Sequence, residues 1–258
     1  MDPSDAYSVH AVAHVLEMMV RQEGGIHLLT SRLDDWAHGN FRNHLYWHLS
    51  LFHVDLCQYD KVFEIYDHAL RGQEQSGDMY EELDSAALLW RMTLLGVDTG
   101  DRWNKLSDKW EHAAEDTLYA FNDVHAMMTF VADGRMDLAD KVLNANERYV
   151  STQSDCNVAM TREVGLPFCR AICAFAKGDY ESVVDQLYPI RLRAACLGGS
   201  HAQRDVILLT LIEAALRAGR DELARALASE RTQLKPTSPE NWLLTARAMD
   251  GCGQKEDA

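Results

Sequence analysis

Three polar side chains in an otherwise apolar stretch, His10, His14 and Glu17, stand four and three residues apart. On an α-helix those intervals return to one face, so two imidazoles and a carboxylate form a stripe. His44 and His48 repeat the four-residue interval, and Asn122, Asp123 and His125 stand in another apolar segment. Neutral imidazoles from His10, His14 and His48 with the Glu17 carboxylate suit Zn²⁺ or non-haem Fe²⁺, leaving a position for water or substrate. Glu17 follows the second histidine instead of lying between the pair, which separates this motif from the HExxH metalloproteases. A metal-free chemistry fits the same residues: a histidine held by Asp123 or Glu17 acts as general base while Arg204 grips an anionic substrate. The expected catalytic residues are therefore His14, His48, Asp123 and His125, and the expected ligand-binding residues His44, Trp47, Arg204 and Asp205. Nothing polar recurs around His27, His38, His68 and His112, which read as structural. Trp36, Trp90 and Trp103 read as core, as Trp47 does by its spacing alone.

The elements that must carry these residues are helical. Prolines number five, alternating Val-Ile-Thr runs are missing, and apolar residues recur with helical period along the chain. Ser4 or Asp5 can cap a first helix to about Met19, Gly24-Gly25 follow a short turn, and a second helix runs from Gly25 to Leu33. Further helices are expected over Asn40 to Leu56, from Tyr59 through Leu70, Glu81 to Leu95, Arg102 to Ala114, Leu118 to Val131 and Met136 to Tyr149. The remainder are Val158 to Ala176, Tyr180 to Leu197, Gln203 to Ala218, Glu222 to Leu234, and a short last helix opened by Pro236-Thr-Ser-Pro239. Polar links lie at Gly72 to Gly77 and Ser151 to Asn157. Gly198-Gly199-Ser200 reads as a tight turn before a helix start.

Three turns share a frame. Gly134, Gly178 and Gly219 each precede by five positions a small or β-branched residue, Ala139, Val183 and Ala224. Val20 and Cys57 occupy the same place with the glycine lost, ahead of Gly25 and Val62. That is the tetratricopeptide pattern, in which a small residue lets the second helix of a hairpin pack closely. The expected architecture is an all-α, tetratricopeptide-like α-solenoid of about five hairpins and a terminal helix, one domain over residues 1–258. Its first helices would bring the histidines to a concave face.

Composition excludes several function classes. With 47% hydrophobic and 25% charged residues the chain should fold, and a net charge of -15 without a Lys/Arg cluster argues against nucleic acid and anionic membranes as partners. The six cysteines are scattered, Cys169 and Cys173 at helical spacing, as buried thiols of a reducing compartment would be. No apolar run reaches the roughly 20 residues of a membrane span, and the acidic start Met1-Asp-Pro-Ser-Asp-Ala lacks a signal peptide's pattern. A cytoplasmic location is expected. Walker, dinucleotide-binding and nucleophile-elbow motifs are missing.

Several ordered blocks resemble the tetratricopeptide repeat protein 38 family. They are His10-Ala-Val-Ala-His14-Val-Leu-Glu17-Met18, Tyr46-Trp47-His48 with Tyr66-Asp67, Phe121-Asn122-Asp123-Val124-His125, Val164-Gly165-Leu166-Pro167-Phe168-Cys169, Pro189-Ile190-Arg191, Gly198 through Val206, and Leu234-Lys235-Pro236-Thr237-Ser238-Pro239. The resemblance implies a tetratricopeptide-like helical fold and carries no established activity. Leu45 departs from it, standing where relatives usually have asparagine. Relatives also carry a helical half before the first histidine block, so a homodimer covering the first hairpin is expected. Together these readings point to a histidine-lined pocket for a small molecule, with metal-assisted or acid-base conversion. A scaffold gripping a peptide or helix of a protein partner is the rival.

Overall fold

The computed structural model describes residues 5–72 and 79–253, and all regular structure among them is helical. In chain order the helices are α1 (Ala6–Met18), α2 (Gln22–Ser31), α3 (Leu33–Trp36), α4 (Arg42–Asp55), α5 (Tyr59–Ile65), α6 (Met79–Leu94), α7 (Arg102–Trp110) and α8 (Ala120–Ala132). They continue with α9 (Met136–Thr152), α10 (Cys156–Met160), α11 (Leu166–Ala176), α12 (Tyr180–Leu187), α13 (His201–Arg217), α14 (Asp221–Leu234) and α15 (Pro239–Gly251). π turns extend α5 over Tyr66–Leu70 and join α10 to α11 over Thr161–Gly165. No helix among the described residues is long and apolar enough to cross a membrane.

The turn frame read from sequence has a conformational basis. Gly134, Gly178 and Gly219 have φ of 75, 75 and 69°, and Val20 and Cys57 take the same left-handed place at 56° each. In each case the next residue's N–H reaches back five residues to a helix carbonyl, as Arg21 N does to Leu16 O and Arg135 N to Phe130 O. This satisfies an orphan carbonyl at the helix end. Val and Cys have a Cβ that crowds this region, so their retention implies that packing around the turn holds it. Gly96, outside the expected frame, makes the same turn at φ 71° with Val97 N bonded to Met92 O. The six turns recur about every 40 residues, longer than the 34 of the tetratricopeptide period.

The chain forms two compact units, Met1–Leu88 with Asp221–Ala258, and Leu89–Arg220. In the first unit α1 packs on α2, and α2 and α5 on α4. Asp5 starts α1 by accepting the Tyr7 N–H at 3.1 Å and the Ser8 hydroxyl at 2.6 Å; Ser4 lies outside the described residues. The second helix, expected from Gly25, begins earlier, at Gln22, so both glycines lie inside α2, and a Cβ on Gly25 would sit 2.2 Å from the Phe52 ring. Gly25 is there to let α2 approach α4, a long-range demand that reads locally as a helix breaker.

The last hairpin, α14–α15, docks on the first ones. Lys235 pairs with Glu17, the Thr237 hydroxyl donates to Val20 O at 2.9 Å, and α15 packs on α4. Beneath them Asp55 accepts from Gln22 Nε2 at 2.7 Å and from the Ser238 hydroxyl at 2.6 Å, all three residues buried. The polar link expected at Gly72 to Gly77 falls, after Gly72, outside the described residues.

In the second unit α8 packs on α9 and α11, and α12 on α11 and α13. Gly165 admits Ala120, whose Cβ is 2.9 Å from where a glycine Cβ would stand. The single helix expected over Tyr180 to Leu197 is broken: α12 stops at Leu187 and a 3₁₀ segment covers Arg191–Leu197. Pro189 lacks the N–H that would continue the ladder. Ser200 and Gln203 then form a reciprocal capping box at the start of α13.

Candidate metal centre

Helical spacing places His10 and His14 on one face of α1 and His44 and His48 on one face of α4, and the packing of these helices in the first unit brings the pairs together. Ring centroids are 4.4 Å apart for His10–His14 and His14–His48, 4.9 Å for His10–His44, and 4.8 Å for His44–His48. One ring nitrogen from each of the four lies within 4.8 Å of those of the others. Zn–N bonds of about 2.0–2.1 Å imply a nitrogen–nitrogen edge of about 3.4 Å in a tetrahedral site. The separations of up to 4.8 Å would have to close by up to about 1.4 Å for the four nitrogens to share one ion.

His48, 1% exposed, forms the floor, while His10, His14 and His44 are half-buried. Burial, reinforced by repulsion from His44 and His14, lowers the pKa of His10 to about 3, and its Nε2 is buried without a hydrogen-bond partner. A neutral imidazole with an uncommitted nitrogen has the form a metal ligand requires. His44 shifts the other way. Burial pulls its pKa down, but the charge and hydrogen bond of Asp84, 2.8 Å from Nδ1, outweigh it and raise the net value. A carboxylate on Nδ1 fixes the ring's orientation and would leave Nε2 for a metal.

The surroundings are aromatic. The Phe41 ring meets His10 edge-on at 4.8 Å and His44 at 5.1 Å, and Tyr7 lies 5.0 Å from Phe41. Trp47, fully buried, stacks on His44 at 5.2 Å and 15°. It is at once core and the back wall of the site.

Of the residues expected as metal ligands, His10, His14 and His48 lie in this cluster, and His44, expected as a ligand-binding residue, is its fourth member. Glu17 is buried, holds the Lys235 ammonium, and has a carboxylate oxygen within 4.8 Å of a His14 nitrogen. Asp123 and His125 belong to α8 in the second unit, both buried. His125 Nδ1 donates to Phe121 O at 2.7 Å. Burial raises the Asp123 carboxyl to about 7, against a lowering hydrogen bond from Asn146 and with a further push from the Asp116 charge. Arg204 donates to the carbonyls of Gly198 and Gly199, tying down the turn before α13, and Asp205 is half-buried on that helix.

Two residues of the site escaped the sequence reading. Asp84 sits on α6 just before the run Ala86-Ala87-Leu88-Leu89-Trp90 and is 3% exposed. A carboxylate beside so apolar a helix needs a partner, and that signal was available from sequence. Phe41 carries none, because an aromatic beside a polar helix start looks like any core contact.

No protein-family model and no solved structure matches the chain. The class of the site therefore rests on its own geometry: a cluster of histidines that could bind a metal ion, in an all-helical protein.

Proposed function

We propose that this is a metal-dependent, small-molecule-binding protein in which His10, His14, His44 and His48 hold Zn²⁺ or Fe²⁺, and that it belongs with the tetratricopeptide repeat protein 38 family. The observation that carries the reading is the convergence of four imidazole nitrogens within 4.8 Å of one another. Imidazole suits both ions, and a divalent metal held this way acts as a Lewis acid on a bound oxygen ligand. The chain's own residues have separate roles. His48 anchors the centre from the buried side, and Asp84 orients His44. The half-buried His10, His14 and His44 leave a side from which a ligand enters.

The recurring helix–turn–helix unit, with buried Val62, Ala139, Val183 and Ala224 five positions after their left-handed turns, supports the tetratricopeptide-like part of the reading. On this reading the period of about 40 residues and the docking of α14–α15 on the first hairpins are departures from the standard tetratricopeptide repeat.

The test is metal content. Protein purified without chelator or nickel should carry about one zinc or iron per chain by inductively coupled plasma mass spectrometry. The His14→Ala, His48→Ala variant should lose it while retaining helical circular dichroism. A wild type that holds no metal, and whose melting temperature does not rise when Zn²⁺ or Fe²⁺ is added, refutes the proposal.

A further inference from the structure

We infer that the ligand of this centre is a small carboxylate with an aromatic body: its carboxylate takes a fifth position on the metal beside the four imidazoles while its ring lies against Phe41 and Tyr7. The inference rests on the metal-binding reading above and adds the chemical class of what the metal binds.

The first argument is charge. A coordinating imidazole is neutral, so four of them leave the ion's double positive charge uncompensated. Glu17 is neutralised by Lys235, and Asp84, behind a neutral His44, offsets one of the two charges and leaves the other. An anion in a fifth position supplies the missing charge inside a partly dehydrated site, where the attraction is strong. Among the described residues Lys235 is held by Glu17, while Arg42 donates to Asn43 and lies over the Tyr46 ring but keeps its Nη2 buried without a hydrogen-bond partner.

The second argument is the wall. Phe41 touches the two half-buried rings His10 and His44, and Tyr7 continues from Phe41 outward with 69% of its surface exposed. A line of aromatic rings therefore leads from the imidazoles through half-buried Phe41 to exposed Tyr7. A flat ring packs on such faces by offset or edge contact, worth about 0.5–1.5 kcal/mol per pair beyond area burial. An aliphatic acid as short as acetate reaches the metal but not this wall.

Co²⁺ loaded into the metal-free protein reports on the site through its visible absorption, and titration with acetate and with benzoate separates the two arguments. Both anions should shift the Co²⁺ bands, benzoate with a Kd about tenfold lower than acetate. In Phe41→Leu and in Tyr7→Ala that ratio should fall towards one. Bands unmoved by either anion indicate a closed four-coordinate centre and overturn the inference, as does equal affinity for the two anions or a ratio that both substitutions leave intact. Failure of Co²⁺ and Zn²⁺ to bind at all instead overturns the metal-binding reading beneath it.

Discussion

Replacing Asp123 with asparagine should stabilise the protein, and more so as pH rises. The side chain is 6% exposed on α8, and burial raises its carboxyl from 3.8 to about 7. A raised acid works opposite to the usual carboxylate. Between pH 3.8 and about 7 the folded state keeps a proton that the unfolded chain has already released, so raising pH favours unfolding across that window. At about 1.4 kcal/mol per tenfold change in proton affinity, the whole interval is on the order of 4 kcal/mol, and the part between pH 5 and pH 7 about 2–3 kcal/mol. Asparagine keeps the shape and removes the ionisation. The stability difference between Asp123→Asn and wild type, measured by urea denaturation at fixed ionic strength, should therefore grow by about 2–3 kcal/mol from pH 5 to pH 8 and level off above it. A difference that stays constant with pH would refute the reasoning, because an uncharged replacement would then remove no proton linkage.

Asp84→Asn should weaken Zn²⁺ binding about 10–100-fold in a chelator-competition titration, since an amide orients His44 less firmly than a carboxylate does; unchanged affinity would remove Asp84 from the centre. Asp55→Ala should lower stability by about 2–4 kcal/mol, because it strands the buried Gln22 amide and Ser238 hydroxyl together. Ser238→Ala should cost about 1 kcal/mol, and a double-mutant cycle showing no coupling with Asp55 would contradict the contact. Gly25→Ala should destabilise by about 1–3 kcal/mol through collision with Phe52, and Phe52→Leu should recover part of that loss in the double variant. Strict additivity in urea melts would show that the two residues do not meet.

The sequence by itself determined the helical composition, most of the helix ends and the two histidine pairs, because each is a property of a few consecutive turns of chain. A period of 3.6 residues puts His10 beside His14, and His44 beside His48, whatever else the protein does. Gly134, Gly178 and Gly219 announce their turns because a left-handed residue is cheap only for glycine. Where the same turn is made by Val20 or Cys57, the register of the neighbouring hairpins gave it away.

Tertiary structure alone decided which polar groups meet. Glu17 is on the histidine stripe by spacing, yet the Lys235 that it pairs with stands 218 residues away, and only the docking of α14–α15 on the first hairpins brings that charge to it. His44 and Asp84, 40 residues apart, find each other through helix packing in the same way. Gly25, read from sequence as a helix start, lies inside α2, where a phenylalanine from α4 needs the space. Periodicity tells a side chain which face of its own helix it occupies. Which other helix that face meets depends on shape complementarity across the fold, and no local pattern encodes it.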